Sequence, residues 1–298
     1  MKSVGPQHPS AQDEQLVRGY EGRMLLTLSL VTMCSMGGRF LLPPLIPSII
    51  QDLSITPTVA GLALTLMWGV AAASHYPGGR TSDELNRKVV LVPSILLIVL
   101  GLTSLTVVTT VVGFFVGVIA LGVGSGLFTP AAFAQISDLF VHRRGQAFGI
   151  QTASVNLGGL LGAGLAIVGL QYVDWRLSFS PLFIILIGVV VLVHHNNNQN
   201  YTVAQPKLNV RKTFRRLVKT SQLRWALGTA AVFGFAWQAI LSFLPTYLQV
   251  SKALSPTVGS IAFGMFFVVG MVVTPLAGRV GDAWTHPNTF ILSILIAT

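Results

Sequence analysis

Residues 57–83 read PTVAGLALTLMWGVAAASHYPGGRTSD, and residues 256–282 read PTVGSIAFGMFFVVGMVVTPLAGRVGD. A shift of 199 positions lays one on the other without a gap. Pro57-Thr58-Val59 meets Pro256-Thr257-Val258, Gly79-Arg80 meets Gly278-Arg279, and Asp83 meets Asp282, with Ala63/Ala262 and Val70/Val269 between them. Apolar runs match one another easily by chance. The charged and glycine positions at the end do not, and they carry the weight. Each copy is an apolar run of about 20 residues, enough to rise as a helix through a ~30 Å hydrocarbon core, closed by a charged turn. The second and eighth runs of the chain are therefore equivalent, and a unit of six has been duplicated.

Working outward, apolar runs occupy residues 24–50, 58–77, 89–108, 112–136, 147–170, 179–193, 225–248 and 257–277. Only 9% of the 298 residues are charged and 52% are hydrophobic, against about 25% charged in a soluble domain. The fold class is thus an all-α membrane protein. We divide it into a tail (1–23), a complete six-helix first half (24–193), a basic linker (194–224) and an incomplete second half (225–298). A ninth run begins near Asn288, and only residues 289–298 follow. The chain is expected to stop inside the bilayer, as a truncated or fragmentary product whose native counterpart has about twelve spans.

The net charge of +10 does not mark a nucleic-acid binder, because the cations lie between apolar runs rather than on one solvated face. Alternating sides along the chain, sixteen of the nineteen Lys and Arg fall with the N-terminus and two, Arg176 and Lys252, opposite; Arg39 lies inside a span. The positive-inside rule then places a multi-pass protein in the cell membrane with its N-terminus in the cytoplasm. The first 23 residues lack the apolar core of a cleavable signal. The lone cysteine, Cys34, reads as a small core residue. In the linker, Val210, Phe214, Leu217 and Val218 interleave with cations, which suits a helix on the anionic inner leaflet or a solvated linker.

The loop after the second run holds Gly79, Asp83, Arg87 and Lys88, the spacing of the signature Gly-x-x-x-Asp-basic-x-Gly-basic-basic, with Glu84 and Asn86 in place of a basic residue and a glycine. Together with Asp138 and Arg143-Arg144-Gly145 after the fourth run, the glycines 158, 159, 162 and 164, and Trp175-Arg176, the chain resembles the major facilitator superfamily. Two departures are Val118, where many members have arginine, and Ala163, where antiporters have proline. The resemblance implies secondary active transport by alternating access, with a small-molecule substrate, a coupling proton or ion, a monomer when full length and no cofactor. It implies gating roles for Gly79, Arg80, Asp83, Arg87, Lys88, Asp138, Arg143, Arg144, Gly278, Arg279 and Asp282. Physically, Gly79 lets two helix ends approach, and Asp83 among Arg80, Arg87 and Lys88 makes charge-assisted bonds that break as the halves rock apart.

Arg39 lies near the middle of the first run, where an arginine costs about 2.5–3.5 kcal/mol on insertion scales. No Asp or Glu lies inside any of the eight runs, so an anionic ligand is the expected counter-ion. The repeat sets Gln238, or Trp237 with a one-residue offset, opposite Arg39. Asn156 and Trp68 complete the candidate substrate site, and His75 is a candidate proton site. Spans without clustered His, Asp or Glu exclude a metal centre and a membrane enzyme. Transport of an organic anion, efflux of hydrophobic or drug-like compounds, and a transport-inactive truncated or sensor-like relative remain as readings.

Overall fold

The computed structural model describes residues 15–85, 87–172, 174–196 and 221–283. Among them every regular element is helical: α1 (Gly19–Asp52), α2 (Pro57–Glu84), α3 (Arg87–Thr106), α4 (Val111–Leu139), α5 (Arg144–Gln171), α6 (Ser180–Asn196), α7 (Ser221–Val250) and α8 (Pro256–Ala283). A 3-10 turn, Trp175–Phe179, leads into α6, and the Asp174 carboxylate caps it by accepting the Arg176 N–H at 2.8 Å. Six helices are long and apolar enough to cross a membrane; α6 and α8 contribute the shorter apolar stretches Trp175–Val190 and Pro256–Met271. Of the linker, residues 197–220 lie outside the described residues, as does the ninth run, while 194–196 continue α6 and 221–224 begin α7.

Helix starts follow local hydrogen bonds. Thr110 caps α4 by accepting the Gly113 N–H at 3.1 Å, and Thr56 caps α2 by accepting the Val59 N–H at 3.3 Å, with Pro57 at the first helical position. In α1 the prolines 43, 44 and 47 leave the helix unbroken, although each removes an N–H that would have served the carbonyl four residues earlier.

Small residues set the packing, as they must where lipid removes the hydrophobic incentive for helices to associate. A Cβ on Gly158 would sit 2.5 Å from the Met33 carbonyl oxygen, and one on Gly162 would sit 2.7 Å from that of Gly37, so α1 and α5 touch backbone to backbone. The same two helices share a buried polar knot, in which Gln151 accepts from Ser29 at 3.1 Å and donates to Thr32 at 2.6 Å. Ser35 and Ser125 join α1 to α4 at 2.8 Å.

The duplication is visible in the backbone. Under the shift of 199, Pro57–Glu84 falls on Pro256–Ala283, and both helices have 28 residues. The two non-glycine residues with positive φ among those described are Ser54 (52°) and Ala253 (51°), which are equivalent positions. Ser255 repeats the Thr56 cap, accepting the Val258 N–H at the same 3.3 Å.

Candidate functional site

Arg39 is buried, with 3% of its surface exposed. Its guanidinium carbon lies 3.5 Å from the Trp68 ring centroid, Nη1 points to the Met36 sulfur at 3.8 Å, and Nε has no partner. Arg39 belongs to none of the ion pairs among the described residues. A desolvated cation–π contact is worth about 2 kcal/mol, which offsets part of the insertion cost and leaves the charge itself unneutralised. The helix is unusual at this level, since Pro43 and Pro44 have no N–H to give the carbonyls of Arg39 and Phe40.

Beyond Arg39, on the side away from the N-terminus, lies an aromatic collar. Phe40 packs against Trp68 at 5.8 Å between ring centroids, against Phe267 at 4.7 Å and against Phe263 at 6.3 Å, and the last two meet edge-on at 5.2 Å. Gly159 of α5 leaves space for the Phe267 ring. Ala163 and Leu241 complete the buried cluster. Trp68 and Phe267 are repeat equivalents, so the two halves present corresponding aromatics to one buried residue. Sequence reasoning missed Phe40, Phe263 and Phe267; applying the shift of 199 to Trp68 points to Phe267.

The other expected substrate residues are spread around this centre. Gln238 donates to Ser242 on its own helix at 3.0 Å. Trp237 is 46% exposed, stacks on Phe233 at 6.3 Å and meets Phe266 at 6.4 Å. Asn156 is half-buried and faces Gly270 of α8, where an added Cβ would lie 2.5 Å from its Oδ1. His75 is exposed, seven residues and hence two turns from Trp68 on the same face of α2, and within electrostatic reach of Arg39. The structure thus joins Arg39 to Trp68, while the contacts seen for the others are with Ser242 for Gln238, with Phe233 and Phe266 for Trp237 and with Gly270 for Asn156.

On the N-terminal side, Arg87 is the hub. It binds Asp83 at 2.7 Å, Asp138 at 3.1 Å and the Ser82 hydroxyl at 2.8 Å, tying the α2–α3 turn to the end of α4. Burial alone would lower its pKa, but the hydrogen bonds and charges of Asp83 and Asp138 prevail and raise it. Arg80 pairs with Glu84 at 2.5 Å, and Arg144 closes the α4–α5 turn on the Ser137 carbonyl at 3.0 Å. Lys88 is buried in the first turn of α3, and Arg143 immediately precedes α5. Two expectations change. Asp83 lies in the last turn of α2, and its ion pair is internal to the first half, so separation of the halves does not break it. The close approach expected at Gly79 falls on Gly78, whose Cβ would sit 2.8 Å from Leu127 Cα, while one on Gly79 would meet only Pro130 at 3.6 Å. Gly278, Arg279 and Asp282 fall at the end of α8, where side chains lie outside the described residues.

On the opposite side, Arg176 forms a clasp that the sequence did not reveal. It pairs with Asp52 at the end of α1 and with Asp174 at 3.3 Å, and donates to the Val108 carbonyl at 2.5 Å. Among the described residues, no group of three His, Cys, Asp or Glu is placed to hold a metal ion.

A duplicated bundle of apolar helices with a buried cation between its halves defines an integral membrane protein of transporter type. A profile of the Major Facilitator Superfamily matches residues 28–298, and the chain belongs to that family, whose members move solutes across membranes. An uncharacterized transporter of this type from Bacillus subtilis, YwfA, is 23% identical over 96% of the chain and 71% of its own length. The probable nitrate transporter NarT of Staphylococcus epidermidis is 23% identical over 94% and 71%. A glycerol-3-phosphate transporter of Bacillus subtilis is 23% identical over 78% and 59%. Among solved structures, an inward-facing bacterial homolog of the human lysosomal transporter Spinster matches with a TM-score of 0.64 at 18% identity, over 90% of this chain and 64% of that one. The proton:xylose symporter XylE matches at 0.66 and 14%, over 88% and 69%. The chain thus spans about two thirds of the length of these relatives.

Proposed function

We propose that this protein carries a small organic anion across the cell membrane by alternating access, with Arg39 as the counter-ion at the centre. The observation that carries this reading is a guanidinium buried among apolar side chains with, among the described residues, no carboxylate at ion-pair distance. Leaving such a charge uncompensated is costly, and an anionic ligand removes the cost each time it binds. Two of the relatives support the sign of the charge, since their descriptions name nitrate and glycerol 3-phosphate.

In this reading, residues 24–193 and 225–298 are the two halves and 194–224 the linker between them. Contacts between halves at Phe40–Phe267, Pro44–Gln249 and Gln171–Thr257 close the side away from the N-terminus. Gln238, Trp237 and Asn156 are the further candidate substrate contacts, and His75 is the candidate for a coupling proton. The turn around Arg87 keeps the first half rigid while the halves move.

The test is equilibrium binding of radiolabelled organic anions, cations and neutral compounds to the purified chain in lipid nanodiscs. Anions are expected to bind alone and to lose binding in Arg39→Gln. Binding of cations or neutral compounds in preference to anions refutes the reading. Single cysteines at Arg80 and Lys252 should label from opposite faces of the membrane, the former from the cytoplasm; labelling of Arg80→Cys from outside reverses the orientation.

A further inference from the structure

The surroundings of Arg39 say more about its ligand than the sign of its charge. Across the described parts of the eight spans, Arg39 is the sole Lys, Arg, Asp or Glu. With the His75 imidazole neutral, a ligand seated on it therefore meets one full positive charge. A monoanion is neutralised there, whereas a dianion carries a net negative charge into an apolar site. The side chains packed at this level are aromatic and come from both halves: Trp68 under the guanidinium, with Phe40, Phe263 and Phe267 forming the collar above it. Such rings favour offset or edge-on contact with another flat ring. The guanidinium is itself planar, with paired N–H groups that match the two oxygens of one carboxylate. Stacking on Trp68 fixes its plane, while its unpartnered Nε remains to be satisfied.

We infer that the preferred ligand is a singly charged carboxylate on a flat, aromatic body, held by Arg39 at its charged end and by the Trp68–Phe40–Phe263–Phe267 collar along its ring. This inference rests on the proposed anion-carrying function and narrows it. It orders ligands by charge count first and by flatness second.

A series of related ring compounds separates the two. Affinities for benzoate, cyclohexanecarboxylate, phthalate and benzamide would be measured by competition binding to the purified full chain in nanodiscs at neutral pH. Benzoate should bind at least about tenfold more tightly than the dianion phthalate and several-fold more tightly than the puckered cyclohexanecarboxylate, with benzamide weakest. Phe267→Leu, which keeps an apolar side chain, should erase the preference for benzoate over cyclohexanecarboxylate while leaving the preference over benzamide. Phthalate binding as well as benzoate, or equal binding of the flat and puckered monoanions, overturns this inference and leaves the anion reading standing. Benzamide binding as well as benzoate overturns both.

Discussion

The corner built by α1 and α2 and the corner built by α7 and α8 share a backbone and differ in chemistry. Both turn through a left-handed residue, Ser54 at φ 52° and Ala253 at φ 51°, and both start the next helix on a hydroxyl cap of 3.3 Å. At the centre they part. The first corner holds Arg39 stacked on Trp68, and the second holds Gln238 bonded to Ser242, with Phe267 where Trp68 would be. The reason is physical. A reversal between two helices needs a left-handed residue, and the first free N–H groups of the next helix need a side-chain acceptor, so both copies keep them. Side chains in mid-helix carry no such obligation, and there one copy acquired a charge and the other did not.

The largest expected effect tests how each corner is braced, because α5 packs against both. Gly162→Ala places a methyl 2.7 Å from the Gly37 carbonyl oxygen of α1 and should destabilise the fold by about 1–3 kcal/mol. Gly264→Ala of α8 meets the Ala163 side chain at 3.3 Å and should cost less. Gly164→Ala faces open space and should be neutral or stabilising. Thermal unfolding in detergent checks the order; equal effects at the three sites would mean that close backbone contact does not hold the first corner to α5.

A smaller effect tests the charged turn. Asp83 lies fifteen residues from Trp68 along α2, about 22 Å at helical rise. Asp83→Asn should therefore lower turnover several-fold while anion affinity stays within a few-fold, since it loosens the hold on Arg87. The Asp83 side chain is 62% exposed, so the stability cost should stay below about 1 kcal/mol. Because the Arg87 pKa is raised, the stability it contributes is complete below the ordinary arginine value and declines only as pH rises through the higher one. Stability from this hub should accordingly be flat across neutral pH. Lost affinity with unchanged turnover would place Asp83 at the substrate instead.

The smallest effect tests equivalence itself. Thr56→Ala and Ser255→Ala should each cost about 1 kcal/mol, with the two values alike. A cost at one cap only would show that the corners match in geometry and not in energy.

Much of this was legible in the chain because the duplicated run carries its own boundaries. Pro57 and Pro256 can begin a helix, so α2 and α8 start where the repeat places them, although both run on through the charged segments read as turns. Arg39 stood out because a charge in mid-span has few explanations. The collar was not legible, since phenylalanines in an apolar helix look alike until neighbouring helices choose a face. Nor was the Arg176 clasp, which gathers Asp52 at the end of α1, Val108 after α3 and Asp174 after α5. The repeat offered Gln238, or Trp237 with a one-residue offset, opposite Arg39, but repeat equivalence sets position along a helix and does not guarantee contact across the bundle.

Arg39→Gln gives the first corner the side chain of the second, and two readouts on one preparation test the role of the charge most directly. Anion affinity and thermal stability would be measured together in nanodiscs. Loss of anion binding with stability unchanged or raised is the expected result, because the substitution removes a buried unpaired charge whose purpose is the ligand. Retained anion binding with a large fall in stability would contradict it, and would make Arg39 a structural residue.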